Sequence, residues 1–186
     1  QGVLLALAAS WFERRGELPL DRLDHLLVEA TEAAFAFRDE CAARGEALLA
    51  EELRVDEDRA SRRGGPRAYL HTAGVAVADA EGMVVSSLIS VFDLFGSGVF
   101  VPELGIVLNN RAEGFTTGAN APRPAARPVH TLAPALLEHP ERGALAIATP
   151  GADGQVQTLL QVLGRTRYAG QDLAAAIAAP RWRSED

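Results

Sequence analysis

TAGVAVADAEGMVVSSLI, residues 72–89, is the stretch that decides the fold. Within it, Val75 and Val77 alternate with small residues, Ala80-Glu81-Gly82 has the composition of a turn, and a second β-forming run closes the stretch. This pattern predicts a β-hairpin, and Thr72 stands where its first strand opens.

Upstream of the hairpin, to about Val55, the sequence is typical of helices. Pro19-Leu20-Asp21 is a helix start signal in which Asp21 would be the N-cap. Residues 51–67 are polar and charged, and they predict an exposed loop before the hairpin. The apolar residues of the amphipathic helix recur at helical spacing and are Leu23, Leu26, Leu27, Ala30, Ala33, Ala34 and Phe37.

Downstream of the hairpin, strands and helices mix without regular alternation. Short strands are predicted at 105–108 and 144–148, the second of them buried. A helix is expected from about Val156, and Asp172 is expected to cap a last alanine-rich helix that stops at Pro180. The fold class is therefore α+β, with a layered core of sheet and helix.

Composition and charge exclude several classes of protein. Hydrophobic residues make up 48% of the chain and charged residues 23%, as in globular rather than disordered proteins. The net charge is −7 and every basic residue is arginine, so a nucleic-acid partner is disfavoured. No apolar run approaches the roughly 18 residues of a membrane helix, and we expect no membrane segment.

Cysteine and histidine usage gives no sign of a metal site or a cofactor. A single cysteine, Cys41, excludes an internal disulfide framework and a thiolate metal cage. The four histidines, His25, His71, His130 and His139, lack metal-ligand spacing. We therefore expect neither a metal nor a cofactor.

Two places could carry chemistry. A threonine hydroxyl becomes a useful nucleophile when its own α-amine is free to act as the base, which for Thr72 requires cleavage of the His71–Thr72 bond. The junction Thr149-Pro150-Gly151-Ala152-Asp153-Gly154 has small residues and outward N–H groups that could form an oxyanion hole. From these residues alone, an ordinary strand-opening threonine and an ordinary tight turn stay open as interpretations.

Several blocks occur in an order that covers nearly the whole chain. They lie at 72–82, 95–99, 105–111, 127–134, 149–152 and 179–181. Together they resemble the γ-glutamyltransferase family of N-terminal nucleophile hydrolases, which includes cephalosporin acylase-like members. The segment 26–39 is similar to the last helix of that family's large subunit.

The resemblance implies a precursor that cuts itself before a threonine into a large and a small subunit, which form a four-layer αββα sandwich. Residues 1–71 would be the end of the large-subunit region with its exposed linker. Residues 72–186 would be the small-subunit catalytic region, truncated at its C-terminus. By that match Thr72 is nucleophile and α-amine base, released by cleavage at His71–Thr72, and Gly151 and Ala152 form the oxyanion hole.

Six further residues match the family's substrate-binding positions: Ser90, Phe92, Arg111, Gly114, His130 and Thr131. Ser90 stands where the family has a hydroxyl near the nucleophile. In glutathione-cleaving members an aspartate at the position of Gly114 holds the glutamyl α-amine, and paired serines at the positions of His130 and Thr131 hold the α-carboxylate. Because a buried ammonium without a carboxylate partner is costly, the resemblance argues against glutathione and leaves room for an acyl group without the amine, such as glutaryl.

The implied function is an autoprocessed amidase or acyltransferase that forms an acyl-enzyme from a γ-glutamyl or related acyl amide. Its partners are this small-molecule substrate and the two subunits of one precursor. The alternative is a catalytically silent family member with a structural or binding role, and the compartment stays open between cytoplasmic and periplasmic or secreted. We expect residues 1–186 alone to be inactive and poorly soluble, since the family's sheet also takes strands from outside them.

Overall fold

Three helices build the apolar core. The structure, a computed structural model, describes residues 1–58, 60, 71–141 and 143–184. The five α-helices are α1 (Gly2–Arg15), α2 (Leu23–Phe35), α3 (Cys41–Arg44), α4 (Gly154–Arg167) and α5 (Leu173–Ala178). Helices α1, α2 and α4 pack on one another through fully buried leucines, with Phe12 of α1 and Val156 of α4 between them. Gly164 allows α4 to approach α2, because an added Cβ would lie only 2.9 Å from Leu27 Cδ2.

The predicted helical region is confirmed, with corrections at both ends of α2. Pro19 opens a 3-10 turn over Leu20–Arg22, and α2 begins only at Leu23, with no side-chain cap. Asp21 therefore lies inside the turn and is not the N-cap, since a cap residue needs extended backbone. Helix α2 ends at Phe35, two residues before the predicted Phe37, while the other six apolar positions of the pattern are buried.

The segment before the hairpin is only partly described. Residues 51–56 have no regular secondary structure, and most of them are exposed or half-buried, as predicted. Leu53 is the exception, because it is buried against the helical core. Residues 61–67 of the predicted loop lie outside the described residues.

The hairpin predicted from residues 72–89 is present. Strand β1 (Ala73–Ala78) pairs antiparallel with β2 (Val84–Ile89), and Ala73 lies opposite Ile89. Asp79 closes the turn, because its Oδ1 accepts hydrogen bonds from the amides of Glu81 and Met83. Short strands β3 (Phe100–Val101) and β4 (Ile106–Val107) form a second antiparallel pair, and β4 lies within the strand predicted at 105–108.

A third hairpin joins β5 (Ala135–His139) to β6 (Gly143–Ile147). The sequence analysis predicted β6 but not β5, whose short run between two prolines has no β-branched residue. The prediction of a buried strand at 144–148 is wrong: Ala144 and Leu145 are exposed, and the strand is half-buried only from Ala146. Ala135 and Ile147 pack against the helical core, so this hairpin lies next to the helices.

Ser86 joins the first hairpin to the third. Its Oγ donates to the carbonyl of Ile147 at 2.6 Å and accepts from the amide of Ala135 at 3.3 Å. The outer side of the first hairpin is apolar and uncovered: Val75, Val77, Val85 and Ile89 are 50–71% exposed. The described residues thus contain both helices and strands, as the α+β class requires, and the four-layer sandwich stays a prediction.

The segment between β2 and β4 folds back on itself around Gly96. The amide and hydroxyl of Ser97 both donate to the carbonyl of Leu108, at 2.9 and 3.0 Å. Gly96 has a φ of +55°, and an added Cβ would lie 2.3 Å from that same carbonyl oxygen. Gly98 has a φ of +71° with nothing within 4 Å of an added Cβ.

We predict that Gly96→Ala destabilises the protein by at least about 2 kcal/mol more than Gly98→Ala. Both variants bear the left-handed backbone cost of about 1 kcal/mol, but only the first collides with a carbonyl oxygen that already accepts two hydrogen bonds. Urea unfolding of the two variants measures the difference. Equal destabilisation would contradict this account of the segment.

Candidate active site

The start of β1 places Thr72 beside Ser90. Ala73 pairs with Ile89, so the same register brings Thr72 opposite Ser90, the residue after β2. Ser90 Oγ donates to the carbonyl of His71 at 3.4 Å, a long contact, and accepts from the amide of Phe92 at 3.0 Å. The hydroxyl of Ser90 therefore faces the carbonyl of the His71–Thr72 bond.

The strand-to-helix junction lies next to this end of the hairpin. An added Cβ on Gly74 would lie 3.1 Å from Ala148 Cβ and 3.4 Å from the amide nitrogen of Thr149. Gly74 is two residues after Thr72, and Thr149 is two residues before Gly151. The structure thus brings together the two regions in which the sequence places chemistry.

Two buried amide groups lie at the start of α4. Gly151 has a φ of +124° and Ala152 a φ of +46°, while their carbonyls accept from the amides of Gly154 and Gln155. Within the described part of the chain, neither Gly151 N–H nor Ala152 N–H donates a hydrogen bond. Buried donors near the positive end of a helix dipole suit an anionic oxygen.

Asp153, the next residue, is held by a buried ion pair. Arg38 Nε donates to Asp153 Oδ1 at 2.8 Å and Arg38 Nη2 donates to Oδ2 at 3.0 Å. The side chains are 14% and 5% exposed. Burial alone would lower the pKa of Arg38, but the hydrogen bonds and the charge of Asp153 outweigh it, and the pKa lies above its ordinary value. This pair ties the turn at Gly151 to the segment after α2.

Arg111 contacts three of the other five predicted substrate-binding residues. Its Nη1 donates to Thr131 Oγ1 at 3.2 Å, its Nη2 donates to the carbonyl of Ser90 at 3.3 Å, and its guanidinium lies 5.6 Å from the ring centroid of Phe92. Phe92 itself has a φ of +81°. Burial lowers the pKa of Arg111, and burial together with Arg111 lowers the pKa of His130.

Gly114 is placed differently from the other five. It is buried at the end of the 3-10 helix Arg111–Gly114, and its carbonyl accepts from Asn120 Nδ2 at 2.8 Å. An added Cβ would contact Pro128 at 3.4 Å rather than Arg111. Gly114 therefore packs against the segment that leads to Thr131.

Sequence reasoning missed the Arg38–Asp153 pair. An arginine and an aspartate separated by 115 residues give no local signal, and each reads as an ordinary polar residue at a helix end. The sequence analysis also gave no hint of a cavity of about 590 Å³ between α1, α4 and the β5–β6 hairpin, lined by Phe12, Leu137 and Leu160 among others. That cavity contains none of the candidate residues.

The described part of the chain shows neither a metal-ligand cluster nor a membrane-spanning helix. There is no group of three histidine, cysteine, aspartate or glutamate residues that could hold a metal ion. The helices described there are too short or too polar to cross a membrane.

Comparison with known proteins identifies relatives over most of the chain. The γ-glutamyltranspeptidase family model matches residues 17–185. The oxamate amidohydrolase proenzyme of Klebsiella pneumoniae is 33% identical over 174 residues, covering 85% of this chain and 33% of the relative. The glutathione hydrolase proenzyme of Bacillus subtilis is 34% identical over 113 residues, covering 59% of this chain and 19% of the relative. The chain thus spans a third or less of the length of these relatives.

Solved structures agree with these matches. The γ-glutamyltranspeptidase of Pseudomonas nitroreducens in complex with L-DON superposes with a TM-score of 0.54 at 26% identity, over 58% of this chain and 63% of that chain. A variant of the Helicobacter pylori enzyme gives the same TM-score at 23% identity, over 59% and 66% of the two chains. The second likeness shows the fold alone.

We predict that Asp153→Ala lowers the free energy of unfolding by about 3 kcal/mol, because it removes the two hydrogen bonds of the buried carboxylate and leaves the Arg38 guanidinium with only the more exposed Asp39 as a carboxylate partner. The double variant Arg38→Ala/Asp153→Ala should lose less than the sum of the two single losses. Urea unfolding measures all three.

The more exposed pair Arg15–Glu57 supplies the control, and Glu57→Ala should cost about 0.5 kcal/mol. If Asp153→Ala cost no more than Glu57→Ala, the ion pair would not hold the turn.

Proposed function

Because this chain belongs to the γ-glutamyltranspeptidase family, we propose that it carries the nucleophile, Thr72, and the oxyanion hole, Gly151 and Ala152, of an autoprocessed amidase or acyltransferase. One observation carries the proposal: Gly74 of β1, two residues after Thr72, lies against Ala148 and Thr149, which lead into Gly151 and Ala152, and the N–H groups of these two buried residues have no acceptor in the described chain. A nucleophile and paired N–H donors around one carbonyl are what acyl transfer requires.

Maturation is a cut between His71 and Thr72. The hydroxyl of Thr72 attacks the carbonyl carbon of His71, its proton passes to the leaving nitrogen as the peptide C–N bond breaks, and that nitrogen becomes the α-amine of Thr72. Water then hydrolyses the ester, which gives the carboxylate of His71 and restores the hydroxyl of Thr72. Ser90 Oγ, which donates to that carbonyl, polarises it for the attack. The products are residues up to 71, which carry α1 to α3, and residues from 72, which carry the hairpins, α4 and α5.

Cleavage gives Thr72 the base that its hydroxyl needs. The new α-amine takes the hydroxyl proton as Oγ1 attacks the carbonyl carbon of the amide substrate. The N–H groups of Gly151 and Ala152 donate to the developing oxyanion, and alanine at 152 keeps the backbone donor that this role uses. The amine leaves with the proton, and the acyl ester on Thr72 passes to water or to an acceptor amine.

The names of two relatives indicate which class of substrate to propose for this chain. One relative is named for oxamate and another for glutathione, and both names describe amide hydrolysis. We propose an acyl amide of this range, either γ-glutamyl or related to it, as the substrate here. Arg111 and its three contacts, Ser90, Phe92 and Thr131, form its acyl site, and His130 adjoins Thr131 in sequence. Gly114, which packs against Pro128, lies behind this group rather than in it.

We predict that a Thr72→Ala precursor stays uncut, while Thr72→Ser, which keeps a hydroxyl, is processed. The protein is expressed from its full reading frame and followed on a gel, and N-terminal sequencing of the smaller product should begin Thr-Ala-Gly-Val. A Thr72→Ala precursor that splits at the same bond would show that an outside protease makes the cut. A wild-type protein that stays uncut and inactive would favour the catalytically silent alternative.

A second prediction concerns Ser90. We expect Ser90→Ala to slow self-cleavage at least about tenfold, because the His71 carbonyl loses its donor. Ser87→Ala on the same strand is the matched control, since Ser87 is exposed and has no such contact in the described chain. The rate of precursor loss after a synthesis pulse measures both. Equal rates in the two variants would remove Ser90 from the maturation step.

A further inference from the structure

Arg111 is a half-buried cation that lacks a carboxylate partner in the described chain. Among the described residues, its guanidinium makes three contacts, all with neutral groups: a hydroxyl, a backbone carbonyl and an aromatic face. None of the ion pairs of residues 1–58, 60, 71–141 and 143–184 includes it. Burial lowers its pKa.

The neighbours of Arg111 also favour an anion. Thr131 offers a hydroxyl and is buried, and that hydroxyl already accepts a hydrogen bond from Arg111 Nη1. A guanidinium presents parallel N–H donors that match the two oxygens of a carboxylate. Desolvating such a cation is costly unless an anion binds it, so the group that best fits this site is a carboxylate.

Arg111 lies close to the His71–Thr72 bond, so a carboxylate bound to it would lie near the proposed nucleophile. Arg111 Nη2 contacts the carbonyl of Ser90, and Ser90 Oγ contacts the carbonyl of His71, each within 3.4 Å. Ser90 therefore lies between the Arg111 guanidinium and the His71–Thr72 peptide bond and contacts both. A carboxylate held by Arg111 would lie one short acyl chain away from the Thr72 hydroxyl.

We propose that Arg111 binds a carboxylate on the acyl portion of the substrate, so that the preferred substrates are monoamides of short dicarboxylic acids. The inference rests on the proposed role of Thr72 as the nucleophile. A free α-ammonium group on the acyl chain meets a like charge here rather than a partner, which disfavours γ-glutamyl relative to glutaryl amides.

Matched anilides test the proposal on the mature protein expressed from its full reading frame. The p-nitroanilides of glutaric acid, of valeric acid, which is its uncharged counterpart, and of γ-glutamate are compared by kcat/KM. We expect the glutaryl-to-valeryl ratio to fall about 30-fold in Arg111→Gln, which corresponds to about 2 kcal/mol. Arg111→Lys, which keeps the charge but not the planar fork, should lose less.

Arg123→Gln is the matched control, because Arg123 is an exposed arginine on the loop after Asn120. Its ratio should equal that of the wild type. An Arg111→Gln ratio equal to the wild-type ratio would overturn the inference, as would a hundredfold preference of the wild type for the γ-glutamyl anilide.

A binding measurement separates this inference from the proposed function. Glutarate should raise the thermal unfolding midpoint of the wild type and not that of Arg111→Gln. If the wild type hydrolyses no anilide but shows this Arg111-dependent shift, the carboxylate site stands and the amidase proposal fails. If the anilides are hydrolysed by a Thr72-dependent reaction with no change in Arg111→Gln, the amidase stands and the carboxylate site fails. If the wild type hydrolyses no anilide and glutarate causes no shift, both the amidase proposal and the carboxylate site are overturned.

Discussion

The ion pair between Arg38 and Asp153 is the contact on which the arrangement of the site depends. It joins the segment after α2 to the turn that presents the Gly151 and Ala152 amides. From Arg38 a chain of polar contacts continues: Asp39 accepts from Thr116, and Thr116 accepts from Asn120. Asn120 in turn holds the carbonyl of Gly114 and the amide of Val129. One network therefore fixes both the turn at Gly151 and the segment that carries Thr131.

Patterns of a few neighbouring residues were enough to predict the first hairpin and two of the helices. The hairpin of residues 72–89, the helix capped by Asp172 and the start of α4 follow from alternation, turn residues and capping, which act over a few positions. The candidate residues Thr72, Gly151 and Ala152 stand at the ends of such elements. For that reason a sequence pattern and a family resemblance were enough to select them before any contact was known.

Contacts between segments that are distant in sequence could not be predicted from such patterns. Neither the partner of Asp153 nor the carbonyl that Ser90 faces can be read from neighbouring residues, because each depends on how hairpin and helices pack. Burial was misjudged for the same reason. The apolar strand at 144–148 reads as buried, yet in the described chain its first residues are exposed, since burial depends on what covers a strand and not on its composition.

The helical core has a consequence for the state of the protein after the proposed cut. Leu27 of α2 packs against Gly164 of α4, and Arg38 pairs with Asp153, so both contacts join residues on opposite sides of the His71–Thr72 bond. Before cleavage they are intramolecular, and their strength is independent of dilution. After cleavage the same contacts join two polypeptides, so mass action governs them and dilution favours dissociation. The buried core then holds two separate chains together, and the geometry of the turn at Gly151 depends on their remaining bound.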